Sequence, residues 1–145
     1  MPTRSAVTTW SGSLQEGAGT VELTSSGIGT YDVSFPKRAA DEANGTTSPE
    51  ELIAAAHSSC FAMQFSAVLG QAGGTPTGVT VRADVTLGPD PAGGFRISRI
   101  HLTVRGTADG VDEGTFVKAA EQAKAGCPVS KALTGTDITV DAALG

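Results

Sequence analysis

Cys60 and Cys127 are the only cysteines in this 145-residue chain, and they are the residues best suited to covalent chemistry. The N-terminal segment MPTRSAVTTWSG carries no long apolar run, so the expected compartment is the reducing cytoplasm. There, a cysteine pair points to catalysis, redox exchange or metal binding before it points to a structural staple. The reactive species is the thiolate, and at an ordinary pKa near 8.5 only roughly 3% of a thiol is ionised at pH 7. On this ground alone Cys127 is the better nucleophile. Cys127-Pro128 reads as the start of a helix, where the dipole lowers a thiol pKa. Cys60 falls in the third or fourth turn of a predicted helix, beyond the reach of that field. His57, one turn before Cys60, is read as a packed helix histidine rather than a base or a ligand. His57, Cys60, His101 and Cys127 lack the closed spacing of a zinc site, so no metal is expected.

The elements that must position these groups follow from periodicity. Short β-forming runs at 6–11, 19–25 and 30–35 are separated by Gly and Ser turns. A polar loop is expected over 36–48, rich in Asp, Glu, Asn and Gly. Ser48-Pro49-Glu50-Glu51 has the form of a capping box, with Ser48 at the N-cap, Pro49 first in the helix and Glu51 third. The run LIAAAHSSCFAMQFSAVLGQ is apolar on almost every side, which predicts a helix buried against a sheet and a second subunit. Met63, Phe61 and Phe65 are therefore read as core. Strands return at 79–87, with Val79, Val81, Ala83 and Val85 on one face, and at 95–106. An amphipathic helix over 112–125, with Phe116, Val117, Ala120 and Ala123 inward, stops at Gly126. A short helix opened by Cys127-Pro128 and a strand at 137–142 complete an α+β order.

Bulk properties exclude several functions. A net charge of −5 leaves no basic stripe for nucleic acid. The longest apolar stretch, over 52–69, is broken by His57, Ser58, Ser59, Gln64 and Ser66, so a membrane span is not expected. An aromatic fraction of 5% leaves the packing to Ala, Val, Leu and Ile.

The segments SPEELIAAAHSSCFAM at 48–63 and GCPVSKAL at 126–133 resemble the OsmC/Ohr family of organic hydroperoxide reductases. The resemblance extends over nearly the whole chain, because the β-rich segments before and between the two motifs also fit. The AAAH run, the CPVSKAL run and the placement of Arg38 favour the OsmC branch. The implied fold is a single domain over 1–145, with two small antiparallel β-sheet regions around a long buried central helix. The implied assembly is an intertwined homodimer with active sites at the subunit interface. The implied activity is a thiol peroxidase acting on organic hydroperoxides, with hydrogen peroxide as a further substrate to test. No cofactor is implied, and a small dithiol such as dihydrolipoamide is the implied reductant.

Carried over residue by residue, the resemblance makes Cys60 the peroxide-attacking thiolate and Cys127 its resolving partner, reversing the choice that the helix dipole favours. Arg38 becomes the cation that lowers the Cys60 pKa, and Glu50 the carboxylate that fixes the guanidinium. Glu50 and Cys60 are roughly 15 Å apart along one predicted helix and about 80° apart around it. One guanidinium can hardly bracket both, so Glu50 of one subunit is expected to serve Cys60 of the other. A second reading keeps the same pair for redox sensing or disulfide exchange without peroxidase turnover.

Overall fold

The computed structural model describes residues 1–145. They form two compact units, Met1–Leu52 and Ile53–Gly145. In the first unit, β1 (Val7–Ser11), β2 (Ala18–Glu22) and β3 (Thr30–Val33) pair in order as an antiparallel sheet. A four-residue helix, α1 (Phe35–Arg38), follows where a loop was expected. Its cause is local. The Ser34 hydroxyl accepts from the Lys37 N–H, and Pro36 pre-sets the first turn. This turn places Arg38 at the helix end. The unit buries little, since Val21 is its one buried apolar side chain.

The long helix α2 (Pro49–Gln71) begins in the first unit and continues into the second. The Ser48 hydroxyl accepts from the Glu51 N–H at 3.2 Å, as the capping box requires. The reciprocal half differs from expectation, because the Glu51 carboxylate accepts from Thr47 at 2.5 Å. Thr47 thus takes the acceptor meant for the Ser48 N–H.

In the second unit, β4 (Thr75–Pro89) and β5 (Phe95–Asp109) make a long antiparallel hairpin. After it come α3 (Glu113–Gly126), α4 (Pro128–Ala132) and β6 (Asp137–Leu144). β6 pairs in parallel with β5, so this sheet is mixed, where an antiparallel one was expected. The chain leaves β5, crosses through two helices and returns beside the same strand, and such a crossover delivers a parallel partner. Phe61 and Phe65 of α2, Ile100, Leu102 and Val104 of β5, and Phe116, Ala119, Ala120 and Ala123 of α3 form the core. The rings of Phe65 and Phe116 meet edge-on with centroids 4.9 Å apart. Val79, Val81, Ala83 and Val85 pack against this core from β4, as their alternation predicted.

Two apolar positions depart from the sequence reading. Val117 is exposed and Ala119 is buried in its place, because the small stripe Ala119, Ala120 and Ala123 lets α3 approach the sheet. Met63 is 73% exposed and not core. Within the second unit the buried residues of α2 are His57, Phe61, Phe65, Val68 and Leu69, since one sheet and one helix can cover only one side of it. By length and composition alone α2 is apolar enough to cross a membrane, although its polar interruptions argued otherwise.

Candidate active site

Cys127 sits at a break between two helices. Its N–H donates to the Ala123 carbonyl, closing α3, and its carbonyl accepts from the Lys131 N–H, opening α4. The residue is extended, φ −62° and ψ 123°, because Pro128 excludes the helical conformation before it. Gly126 permits the close approach of α2 at this corner. A Cβ there would lie 3.0 Å from the Gln64 amide nitrogen, tighter than an ordinary contact. The corner brings Cys127 against Cys60 of α2, with sulfur atoms 3.2 Å apart. Both are free thiols; Cys127 is buried and Cys60 partly exposed. A disulfide requires about 2.05 Å, so a sulfur movement of little more than an ångström would close the bond.

The two thiols are not equivalent. Burial pushes the Cys60 thiol up, a Val129 N–H opposes it, and the neighbouring Cys127 adds to the rise. Burial acts on Cys127 in the same direction. There, the N–H of Ser130, the Cys60 thiol, the Ser130 hydroxyl and the Val129 N–H together outweigh it, and Cys127 falls below the usual thiol range. The sulfur forms no side-chain cap hydrogen bond, so these groups act on it as nearby dipoles. The opening turn of α4 therefore does what the helix-dipole reading of the sequence anticipated.

A second contact parallels the first. His57 lies three residues before Cys60 on α2, and Ser130 three residues after Cys127. The His57 Nε2 and the Ser130 hydroxyl are 2.7 Å apart and buried. Thus two pairs at one-turn spacing face each other, sulfur to sulfur and imidazole to hydroxyl. Burial lowers the His57 pKa, which keeps the ring neutral. Sequence reasoning passed over Ser130, although its spacing from Cys127 mirrors that of His57 from Cys60.

Arg38 and Glu50 meet within the first unit. The guanidinium Nε donates to both carboxylate oxygens at 3.1 Å, and Nη2 donates to Oε1 at 2.6 Å. Glu50 is 8% exposed, so this forked pair is partly shielded from solvent. Both residues belong to one chain, because α1 turns Arg38 back onto the first turn of α2. Nε and Nη2 are occupied, leaving Nη1 for another acceptor. Beside Arg38 lies a cavity of about 460 Å³ whose walls include Trp10, Leu14, Val21, Val33, Phe35 and Leu52. It is an apolar recess with a cationic edge.

Two free thiols in contact, one partly exposed on the long helix and one buried between α3 and α4 of a two-sheet α+β chain, define a two-cysteine thiol protein. The chain belongs to the OsmC family: residues 41–142 match the family model described as OsmC-like protein. It is 42% identical over 132 residues to Peroxiredoxin OsmC of Escherichia coli, covering 91% of this chain and 90% of that protein. It is 29% identical over 112 residues to Organic hydroperoxide resistance protein-like 2 of Staphylococcus epidermidis, covering 76% and 77%. The higher identity lies on the OsmC side, as the motifs indicated. Among solved structures, an organic hydroperoxide resistance protein from Elizabethkingia anophelis superposes with a TM-score of 0.80 at 26% identity, covering 100% of this chain and 98% of that one.

Proposed function

We propose that this protein is a thiol-dependent peroxidase that reduces organic hydroperoxides to alcohols. The observation that carries the reading is the 3.2 Å approach of two free thiols, one partly exposed and one buried. Cys60 is the sulfur that a substrate can reach. Its thiolate attacks the peroxide, an S–O bond forms and the O–O bond breaks. The alkoxide leaves and takes up a proton to become the alcohol. Sulfur is oxidised to the sulfenic acid as the peroxide is reduced. Cys127 then attacks that sulfur, the S–S bond forms, and hydroxide departs and is protonated to water. A dithiol such as dihydrolipoamide restores both thiols by exchange and leaves as its own disulfide.

The environment of Cys60 within its own unit opposes ionisation, so an outside cation is required. Arg38, steadied by Glu50, fills that role in this reading. A guanidinium can stabilise both the thiolate and the negative charge that develops on the departing oxygen. The Arg38–Glu50 pair of one protomer serves Cys60 of its partner, in a homodimer working in the cytoplasm. The apolar cavity beside Arg38 favours a peroxide with a hydrocarbon body.

Rapid mixing of the reduced protein with cumene hydroperoxide tests the activity. One equivalent of cumyl alcohol and a Cys60–Cys127 disulfide are expected on a fast timescale. Oxidation that proceeds only with a second protein present would support disulfide exchange instead.

A further inference from the structure

The peroxidase steps leave His57 without a task, although it is fully buried against Ser130 beside the thiol pair. Its Nδ1 is buried and meets no hydrogen-bond partner. A proton on Nδ1 would therefore be an orphaned buried N–H, which folded proteins avoid more strictly than an unpaired acceptor. The proton belongs on Nε2, and Nε2 donates to the Ser130 oxygen. That occupies Ser130 as an acceptor and leaves its own O–H to donate.

Cys127 caps the start of α4 and Ser130 is the third residue inside it, so the two side chains share the opening turn, and the hydroxyl draws the Cys127 pKa down. In the reduced pair the Cys127 sulfur is in contact with Cys60 at 3.2 Å. Loss of the Cys127 proton turns the sulfur into an acceptor, and the Ser130 O–H is then a ready donor. We propose that His57 and Ser130 form a donor chain, from His57 Nε2–H to Ser130 Oγ–H to the Cys127 sulfur, that steadies the resolving thiolate for its attack on oxidised Cys60. His57 and Ser130 are positioning residues here; they donate hydrogen bonds and transfer no proton. The proton released by Cys127 balances the one taken up by the hydroxide that leaves Cys60.

This inference deepens the two-cysteine reading and depends on it for the step the thiolate performs. The titratable groups beside the Cys127 sulfur are the Cys60 thiol, 3.2 Å away, and His57, reached through Ser130. A neutral donor chain steadies the thiolate without a charged partner. The two one-turn pairs, His57 with Cys60 and Cys127 with Ser130, also explain the geometry. Fixing the imidazole on the hydroxyl fixes the register of α2 against α4, and with it the sulfur–sulfur approach.

The test titrates Cys127 by thiolate ultraviolet absorbance in a Cys60→Ser background. Ser130→Ala and His57→Leu should each raise its pKa, with the thiolate fraction at neutral pH falling by up to about tenfold for each unit of the rise. Ser130→Thr and His57→Gln, which keep an O–H and an N–H donor, should recover most of the fraction. An unchanged titration in both Ser130→Ala and His57→Leu overturns the chain. Nitrogen NMR of the His57 ring in the unsubstituted reduced protein gives a reading that no folding defect can confuse. A neutral ring protonated on Nε2 is expected; a proton on Nδ1, or a charged ring at neutral pH, overturns the proposal. The Cys60→Ser protein runs no peroxidase cycle. A missing peroxidase activity alongside the expected titration would therefore reject the peroxidase reading and leave the donor chain standing.

Discussion

Cys60 and Cys127 present an opposition between reactivity and access. The opening turn of α4 and Ser130 favour the thiolate on Cys127, yet Cys127 is buried and Cys60 is the sulfur partly open to solvent. A nucleophile must meet its substrate, which is why the proposed function gives the attack to Cys60 and the resolving step to Cys127. In the proposed function the Arg38–Glu50 pair sets how fast Cys60 reacts. Glu50→Gln keeps the shape but removes the charge that holds the fork, and kcat/KM for cumene hydroperoxide should fall about tenfold or more. Cys127→Ser should permit one turnover and block the second, seen as a dimedone-reactive sulfenic acid with one equivalent of alcohol. His57 adds a pH signature. Burial lowers its folded pKa below the ordinary 6.5, so the unfolded chain binds the proton more readily. Stability is therefore highest above about 6.5 and declines as pH falls from there toward the folded pKa. A thermal-unfolding series in this window should show a smaller decline in His57→Gln. The roles proposed for the two cysteines rest in the sequence on motif resemblance alone, because the accessibility that separates the two thiols depends on long-range packing.

Among the elements, those with local causes were readable. The start of α2 at Ser48-Pro49, the stop at Gly126 and the alternation of Val79, Val81, Ala83 and Val85 each follow from near neighbours in the chain. The parallel pairing of β6 with β5 was not readable, because it depends on where a two-helix crossover lands. The fate of Val117 and Met63 likewise depends on which faces find a partner. The corner at Gly126-Cys127-Pro128 is the element on which the site depends, since it ends one helix, starts another and admits α2. Replacing Ser48 with Ala should cost about 1 kcal/mol of stability through the lost cap of α2. The hairpin carries a stricter demand at Gly106, where φ is 152° and an added Cβ would lie 2.1 Å from the Gly78 carbonyl oxygen. Gly106→Ala should destabilise by roughly 1–3 kcal/mol in denaturant melts, with the slope unchanged.

For the whole molecule, the question is what covers the apolar surface that one chain leaves open. Val7, Trp10, Leu14, Ile28 and Tyr31 are exposed in the first unit, Met63 is exposed on α2, and Val21 alone is buried among the apolar side chains of residues 1–52. A unit of this size with so little core is not expected to be stable uncovered, which favours the homodimer. Mixing subunits tests the sharing of sites directly. Arg38→Ala and Cys60→Ser chains, each inactive alone, should regain about a quarter of the wild-type activity once exchanged, because half of randomly paired dimers are mixed and each holds one complete site. No recovery after proven exchange would place Arg38 and Cys60 of one chain in the same site.

The account stands or falls on which sulfur meets the peroxide. Reduced Cys127→Ser and Cys60→Ser proteins, each mixed with one equivalent of cumene hydroperoxide, can be followed by rapid-quench mapping of the sulfenic acid. Fast oxidation at Cys60 in the first protein, with Cys127 slow or inert in the second, is the predicted result. Equal or faster oxidation at Cys127 would show that the lowered thiol pKa, not access and Arg38, selects the nucleophile.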